Sequence, residues 1–217
     1  MLPIHAPARR CFLTPIPQLS TAADLLASAA DRLLEGDAPN ARPLVAEADM
    51  PVIGAYTALV TGAVNPLVHW QSAMPAGAVG LERSAQRMPS SSVERAIYVR
   101  DGWRCRYCGT RVIDRSMRAR LHRCLPDVAR WGARNADKHT ALAALSASLD
   151  HIVPHSRGGT NDEPNLVTAC NACQFGRGQW TLDEVGFWDP REYPPVLDEW
   201  DGLTRLGRLA DAFNIPQ

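Results

Sequence analysis

Two Cys-x-x-Cys pairs constrain this chain more than any other feature of its sequence. The four cysteines are Cys105 with Cys108 and Cys170 with Cys173. Between the pairs lie Asp150 and His151, whose oxygen and nitrogen atoms suit hard ions and proton transfer. Four thiolates complete a tetrahedral zinc site and leave no open position for water, so such a site is structural. The sequence therefore predicts one structural zinc per chain and a separate reactive site at the Asp-His pair.

Six cysteines would also permit disulfides, and a Cys-x-x-Cys pair can be a redox centre. The N-terminus, MLPIHAPARRCFLTP, has no continuous apolar segment, and no run approaches the roughly 18 apolar residues of a membrane span. We therefore expect a cytoplasmic protein with no membrane partner. In a reducing compartment, two matched pairs favour metal over oxidation. The remaining cysteines, Cys11 and Cys124, are expected to be free thiols rather than part of a second metal site.

The motifs around the second pair resemble those of the HNH endonuclease family, in its branch with four zinc-binding cysteines. They are LDHIVP, a Gly-Gly turn, Asn165, NLV and the final Cys-x-x-Cys. The resemblance covers about residues 91–190 and does not extend to the first 90.

The resemblance implies an α+β fold with a ββα-metal core stapled by a four-cysteine zinc site. We expect a first strand at 149–153, a loop at 156–164, a second strand at 166–168 and a helix after Cys173. It also implies that His151 is the general base, that Asp150 binds a catalytic metal, and that Asn165 braces the loop.

Two positions after the second pair are informative. The family's usual metal-binding His or Asn, directly after the last cysteine, is Gln174 here. An amide oxygen is a legitimate ligand for Mg²⁺, so activity with Gln174 is expected, and a degenerate, binding-only domain is the alternative. Arg177 stands where many members have Lys and is expected to brace the scissile phosphate. Its alternative is a solvated arginine near a helix end.

Hydrolysis of a phosphodiester needs a base that activates water and positive charge at the phosphate. An imidazole can act as that base near neutral pH. A hard cation with few protein ligands, here Mg²⁺ or Mn²⁺, supplies the charge. The expected reaction is therefore metal-dependent cleavage of DNA, although nothing in the sequence excludes RNA.

The net charge of zero is unevenly distributed. Residues 100–138 carry 11 basic and 4 acidic side chains, whereas residues 139–217 carry 5 and 11. Clustered arginine is typical of a surface that binds a phosphate backbone, and a solvated helical face is the alternative. The insertion at 110–148 is therefore predicted to be a basic helical lid over a nucleic-acid groove. The candidate nucleic-acid contacts are Arg115, Arg118, Arg120, Arg123, His155 and Arg157.

Outside the core, residues 1–90 are expected to be mainly helical with a Pro-rich arm, and their role is unknown. The stretch from Val52 to Val64 fits either a buried helix or two short strands. Residues 191–217 are predicted to form an amphipathic C-terminal helix, because large apolar residues recur from Trp200 to Phe213 at helical spacing. Two other functions stay open, a catalytically silent zinc module that binds nucleic acid and an effector nuclease activated by a protein partner through residues 1–90.

Overall fold

Alanine and leucine at intervals of three or four residues build the first helix. The computed structural model describes residues 11, 13–61 and 87–209. Helix α1 spans Pro17–Leu34, with proline in its first turn, where a missing N–H breaks no hydrogen bond. Its buried face consists of Leu19, Ala22, Ala23, Leu26, Ala29, Ala30 and Leu33. Most of the expected Pro-rich arm lies outside the described residues.

Two further helices follow on the N-terminal side. Helix α2 (Ala38–Ala48) was not predicted; the side chain of Asp37 caps it by accepting a hydrogen bond from the backbone N–H of Asn40 at 3.2 Å. Helix α3 (Pro51–Thr61) resolves the helix-or-strands alternative in favour of the helix up to Thr61, and the rest of the predicted stretch lies outside the described residues. Among the described residues, no single helix is long and apolar enough to cross a membrane, although the bent pair of α2 and α3 meets both criteria when taken together.

A helix leads into the first cysteine pair. Helix α4 (Ser91–Arg100) is capped by Ser90, whose side chain accepts a hydrogen bond from the N–H of Val93. The insertion is not one continuous helical lid. It contains α5 (Arg115–Cys124), a 3₁₀ turn at Asn135–Asp137 and the short α6 (Thr140–Ala144), joined by turns.

The core has the predicted order of strand, loop, strand and helix. Strand β1 (Ser148–His151) pairs antiparallel with β2 (Leu166–Ala169), and His151 lies opposite Leu166. Helix α7 (Asn171–Arg177) begins before Cys173, so the last cysteine sits inside the helix rather than ahead of it. The capping box of Thr181 and Glu184 then opens α8 (Leu182–Val185).

The described part of the C-terminal segment, which ends at residue 209, differs from the predicted amphipathic helix, and Phe213 lies outside the described residues. Within residues 191–209 the chain forms only 3₁₀ turns, the main one at Thr204–Arg208. Gly202 and Leu203 both have a positive φ, which an α-helix does not accommodate. The indole of Trp200 donates to the carbonyl of Val112 at 2.9 Å, and Gly202 lies so close to Trp103 that an added Cβ would be 2.4 Å from its ring. The apolar periodicity therefore reflects docking of an irregular segment onto the core.

Arginine side chains attach the N-terminal helices to the rest of the protein. Arg111 pairs with Asp24 of α1 at 2.6 Å, and Arg205 pairs with Asp31 of α1 at 2.7 Å. Helix α3 packs against both α6 and α7. The N-terminal helices are thus part of the same packed body as the core, and the 3₁₀ turn of the C-terminal segment packs against α1.

Candidate active site and thiol cluster

The two cysteine pairs meet in space. The sulfur atoms of the cluster lie within 4.8 Å of one another, and those of Cys108 and Cys170 are 3.6 Å apart. A tetrahedral zinc with bonds of about 2.3 Å holds its sulfurs about 3.8 Å apart. The predicted cluster is therefore confirmed, and its dimensions are compatible with zinc. Its members are Cys105, Cys108, Cys170 and Cys173.

The pKa shifts of the thiols in the cluster are also those expected for a site that binds a cation. Hydrogen bonds from Cys105 and the other two thiols lower the pKa of Cys108 well below its usual value. Hydrogen bonds with Cys105 and Cys108, in that order, raise the pKa of both Cys170 and Cys173 well above the usual value. Cys11, expected to be a free thiol, is among the groups that raise the pKa of Cys173. Buried thiolates this close repel one another, so their joint ionisation requires a compensating positive charge.

Asp150 is held from two sides by residues next to the thiol cluster. Tyr107, between the cysteines of the first pair, donates to Oδ2 of Asp150 at 2.9 Å. Arg177, four residues after Cys173, donates to the same oxygen through Nε at 3.1 Å and Nη2 at 2.8 Å. All three of these bonds go to Oδ2. The carboxylate is therefore fixed through one of its two oxygens.

Arg177 does not brace a phosphate in this arrangement, which corrects the role expected from the sequence. Its side chain is 1% exposed and donates to the carbonyl oxygens of His151, Ile152 and Trp180 as well as to Asp150. Burial, the largest single effect, would lower the pKa of Arg177, but the charge and hydrogen bond of Asp150 together with the nearby Tyr107 and Cys173 outweigh it, and the pKa is raised. Arg177 is thus a buried cation that ties α7 to β1.

Tyr107 stays a neutral hydrogen-bond donor. Burial raises the pKa of Tyr107 well above 10, and the charge of Asp150 raises it further. The phenol therefore keeps its proton and can donate to the carboxylate at any ordinary pH.

His151 sits at the end of β1, buried against the loop that joins the strands. Its Nε2 lies 2.8 Å from Oδ1 of Asn161. Because an amide oxygen only accepts, this contact places a proton on Nε2, and in the neutral ring Nδ1 keeps the lone pair. The ring of His155 lies edge-on to His151 at a centroid distance of 6.1 Å.

Asn165 braces the loop in the manner implied by the family resemblance. Its Oδ1 accepts from the N–H of Val153 at 2.8 Å, and its Nδ2 donates to the carbonyl of Thr160 at 2.8 Å and that of Val153 at 3.2 Å. Gly159 packs so tightly inside this loop that a Cβ would fall 1.7 Å from the carbonyl oxygen of Val153. One amide therefore fixes both ends of the loop that carries Asn161 to His151.

Gln174 faces the same site as Asp150 and His151. Its Oε1 accepts from the hydroxyl of Ser148, and its Nε2 donates to the carbonyl of Leu149 at 3.3 Å. These side chains line a cleft of about 550 Å³, which we call the catalytic cleft. The described residues that line it are Arg87, Met88, Leu149, Asp150, His151, Pro154, His155, Ser156, Gln174, Phe175, Gly178 and Gln179.

The candidate arginines of the insertion do not reach this cleft. Arg118 stacks on Trp131 with its Cζ 3.7 Å from the ring centroid, and Arg120 donates to backbone carbonyls of the 3₁₀ turn in the C-terminal segment. Arg115 pairs with Glu94, and Arg123 is exposed on the last turn of α5. The expected lid over the groove is therefore not formed by these side chains.

The other two candidate nucleic-acid contacts are in the loop that joins the strands. His155 lines the catalytic cleft, and Arg157 pairs with Glu184 at 2.7 Å. Sequence reasoning missed Tyr107 and Asn161, the direct partners of Asp150 and His151. The position of Tyr107 inside a metal-binding knuckle was a usable signal, whereas Asn161 looked like an ordinary polar residue of a turn.

A short ββα unit next to a four-thiol cluster, with an Asp-His pair on its first strand, defines a zinc-stapled ββα-metal domain. In agreement, the family model described as HNH endonuclease matches residues 137–174, so the resemblance to that family is confirmed for this segment. Comparison with curated proteins and with solved structures gave no match. The family match indicates a nuclease or nucleic-acid-binding activity.

Proposed function

We propose that this protein is an endonuclease that hydrolyses phosphodiester bonds in DNA with the help of a divalent metal ion. The observation that carries the proposal is the 2.8 Å contact between Nε2 of His151 and Asn161, in a cleft that also contains Asp150 and Gln174. The match of residues 137–174 to the HNH family supports the same reaction class.

His151 acts as the general base. With Nε2–H donated to Asn161, the lone pair of Nδ1 is available to take a proton from an attacking water. A positioned base of this kind contributes on the order of 10²- to 10⁴-fold to the rate. Asn165 acts through the loop, because it holds Asn161 and Val153 in position next to His151.

The donor atoms in the cleft suit a hard divalent ion such as Mg²⁺ or Mn²⁺. Asp150 offers Oδ1, because the bonds from Tyr107 and Arg177 go to Oδ2. Gln174 offers its carbonyl oxygen, which has a second lone pair besides the one that accepts from Ser148. When bound, the ion supplies positive charge to the phosphate and to the departing oxygen. The buried guanidinium of Arg177 lowers the net negative charge of Asp150, so we expect weak ion binding.

Arg177 and Tyr107 act as positioning residues. Both hold Oδ2 of Asp150, and Arg177 also holds the backbone carbonyl of His151. Zinc in the thiol cluster would fix the two elements from which these side chains project.

Cleavage of supercoiled plasmid tests the proposal. Wild-type protein and His151→Ala are compared in Mg²⁺, in Mn²⁺ and in EDTA, with zinc content measured after each treatment so that loss of the structural metal is recognised. We expect nicking and linearisation by the wild type only, abolished by EDTA. Equal cleavage by His151→Ala would overturn the assignment of the base.

A catalytically silent zinc module that binds nucleic acid is the second candidate. It is favoured by one observation, that both family metal positions are engaged by the protein, Asp150 by Arg177 and Gln174 by Ser148. It predicts that wild type and His151→Ala bind the plasmid equally and that neither cleaves it. A protein partner acting through residues 1–90 stays a prediction.

A further inference from the structure

A second cavity shares one lining residue, Phe175, with the catalytic cleft. It has a volume of about 690 Å³ and is formed between α3, the stretch from Arg130 to Ala143, and α7. Phe175 lines both this cavity and the catalytic cleft, and its side chain is 49% exposed. The other side of α7 is buried, so the ring is the apolar wall that the two cavities share.

The second cavity has the chemical character of a nucleotide site. Its apolar floor includes Ala58, Val60 and Ala143, and its polar groups include Thr57 and Asn135. Positive charge comes from Arg130 and Lys138, the first paired with Asp49 and the second donating to Asn135 at 3.1 Å. A volume in this range accommodates a small ligand, and a base with its phosphate needs both an apolar surface and a cation.

Asn171 gives the cavity an uncommitted polar group. It lies one helical turn before Phe175, so both residues line the cavity from the same face of α7. Its Oδ1 is buried and accepts no hydrogen bond from the described part of the chain. Rotation of the amide towards a ligand therefore breaks no bond at that oxygen, and a ligand N–H would supply the missing donor.

We propose that the second cavity is a nucleobase subsite. It receives a base turned out of the DNA strand whose phosphate lies at His151, with the ring of Phe175 stacked on the base and Asn171 bonded to its edge. The inference rests on the proposed function, because the catalytic cleft sets where the strand runs. It adds a means of base selection close to the scissile bond, which backbone contacts alone do not give.

Fluorescence of 2-aminopurine tests the subsite without cleavage. Full-length His151→Ala protein is titrated into single strands of about 12 nucleotides, a length within the usual range of single-strand sites, with 2-aminopurine at the centre. Phe175→Ala in the same background should lower the affinity measured by 2-aminopurine fluorescence about 5- to 150-fold. This loss corresponds to about 1–3 kcal/mol of stacking. Phe175→Tyr should bind like the parent, because it keeps a stacking ring.

Trp188→Ala is the matched control, since Trp188 is also a partly exposed aromatic residue, 42% exposed, but does not line either of these two cavities. It should leave the binding unchanged. Equal binding by Phe175→Ala and the parent, or equal losses for Phe175→Ala and Trp188→Ala, would overturn the subsite. Asn171→Ala should change the preference among oligonucleotides that differ at the central base, and unchanged preference would remove Asn171 from the proposal.

The nicking assay on the same proteins separates the two proposals. Plasmid cleavage by wild type, together with a Phe175→Ala variant that binds like its parent, would leave the nuclease intact and refute the subsite. Ring-dependent binding of 2-aminopurine, without cleavage by wild type in any metal, would support the subsite and refute the nuclease.

Discussion

Tyr107 donates a 2.9 Å hydrogen bond to Asp150 from a position between the two cysteines of the first pair. Arg177, which also bonds Asp150, follows the last cysteine by one helical turn. The carboxylate of the candidate active site is therefore held by the same two pieces of chain that form the thiol cluster. A structural metal in this protein would thus help to determine the position of Asp150, the candidate ligand of the catalytic ion.

Replacing Tyr107 tests that connection. Tyr107→Phe removes one bond to a charged group, and we expect a loss of about 1.5–3 kcal/mol in the free energy of unfolding. The half-saturating Mg²⁺ concentration for plasmid cleavage should also rise, because Asp150 is less well oriented. Tyr98→Phe is the control, since Tyr98 also bonds a carboxylate, that of Glu94, away from the cleft. If both variants change the Mg²⁺ requirement equally, Tyr107 has no special positioning role.

Elemental analysis tests the thiol cluster. We expect about one zinc per chain, with loss of zinc and a large drop in Tm for Cys173→Ser, because binding energy on the order of 10 kcal/mol becomes folding energy. Cys124→Ser should keep both, as Cys124 lies outside the cluster. Folded wild-type protein free of zinc would contradict the assignment.

Removal of the partner of His151 should affect the rate more than the fold. Asn161→Ala leaves Nε2 without its acceptor, and we expect cleavage to fall about 10- to 100-fold, less than the full contribution of a general base. Circular dichroism and Tm should stay close to those of the wild type. Cleavage at the wild-type rate would show that another group orients the imidazole.

Variants at position 174 test the ligand role of its amide. Gln174→Asn should keep or improve Mg²⁺-dependent cleavage, because it restores one of the family's usual ligands, whereas Gln174→Ala should lower it. Gln179→Ala, at an exposed residue on the same cleft, is the control for changes in cleft shape. Equal Mg²⁺ titrations for all four proteins would show that the ion is held otherwise.

His139 makes the stability depend on pH. Its side chain is fully buried, with Nε2 donating to the carbonyl of Val45 at 2.8 Å and Nδ1 accepting from the N–H of Leu142 at 3.2 Å. Burial lowers the pKa of His139 in the folded state, despite the raising effects of Val45 and Asp49.

Below about pH 6.5 the unfolded chain takes up a proton that the folded state does not bind. The contribution of His139 to the free energy of unfolding is therefore fully present above that pH. It is lost as the pH falls towards the lower pKa of the folded state. Denaturant unfolding from pH 5 to 8 should show this loss in wild type. In His139→Gln the free energy of unfolding should depend less steeply on pH, by up to about 1.4 kcal/mol per pH unit. An equal dependence on pH in the two proteins would refute the prediction.

Features with local causes were predictable from the sequence. The fixed spacing of the cysteines led directly to the cluster, and periodic alanine and leucine gave α1. The route of the segment from Trp200 to Leu209 was not predictable, because it depends on Gly202 packing against Trp103, almost 100 residues earlier in the chain. Arg177 was misassigned for a similar reason. Its position after the last cysteine was clear, but whether its side chain turns inward depends on the carbonyl groups of β1.

The thiol cluster also sets the order in which this protein can be completed. Cys108 and Cys170 are separated by 62 residues, yet they supply sulfurs to one cluster. During synthesis the first cysteine pair, Cys105 and Cys108, is therefore made before the second pair and provides only half of the cluster. A metal ion that joins the two halves acts as a cross-link closing this long loop, and the cross-link disfavours the unfolded chain entropically. In the nascent protein, the cluster beside the Asp150 contacts of Tyr107 and Arg177 is therefore complete only after Cys173 has been made.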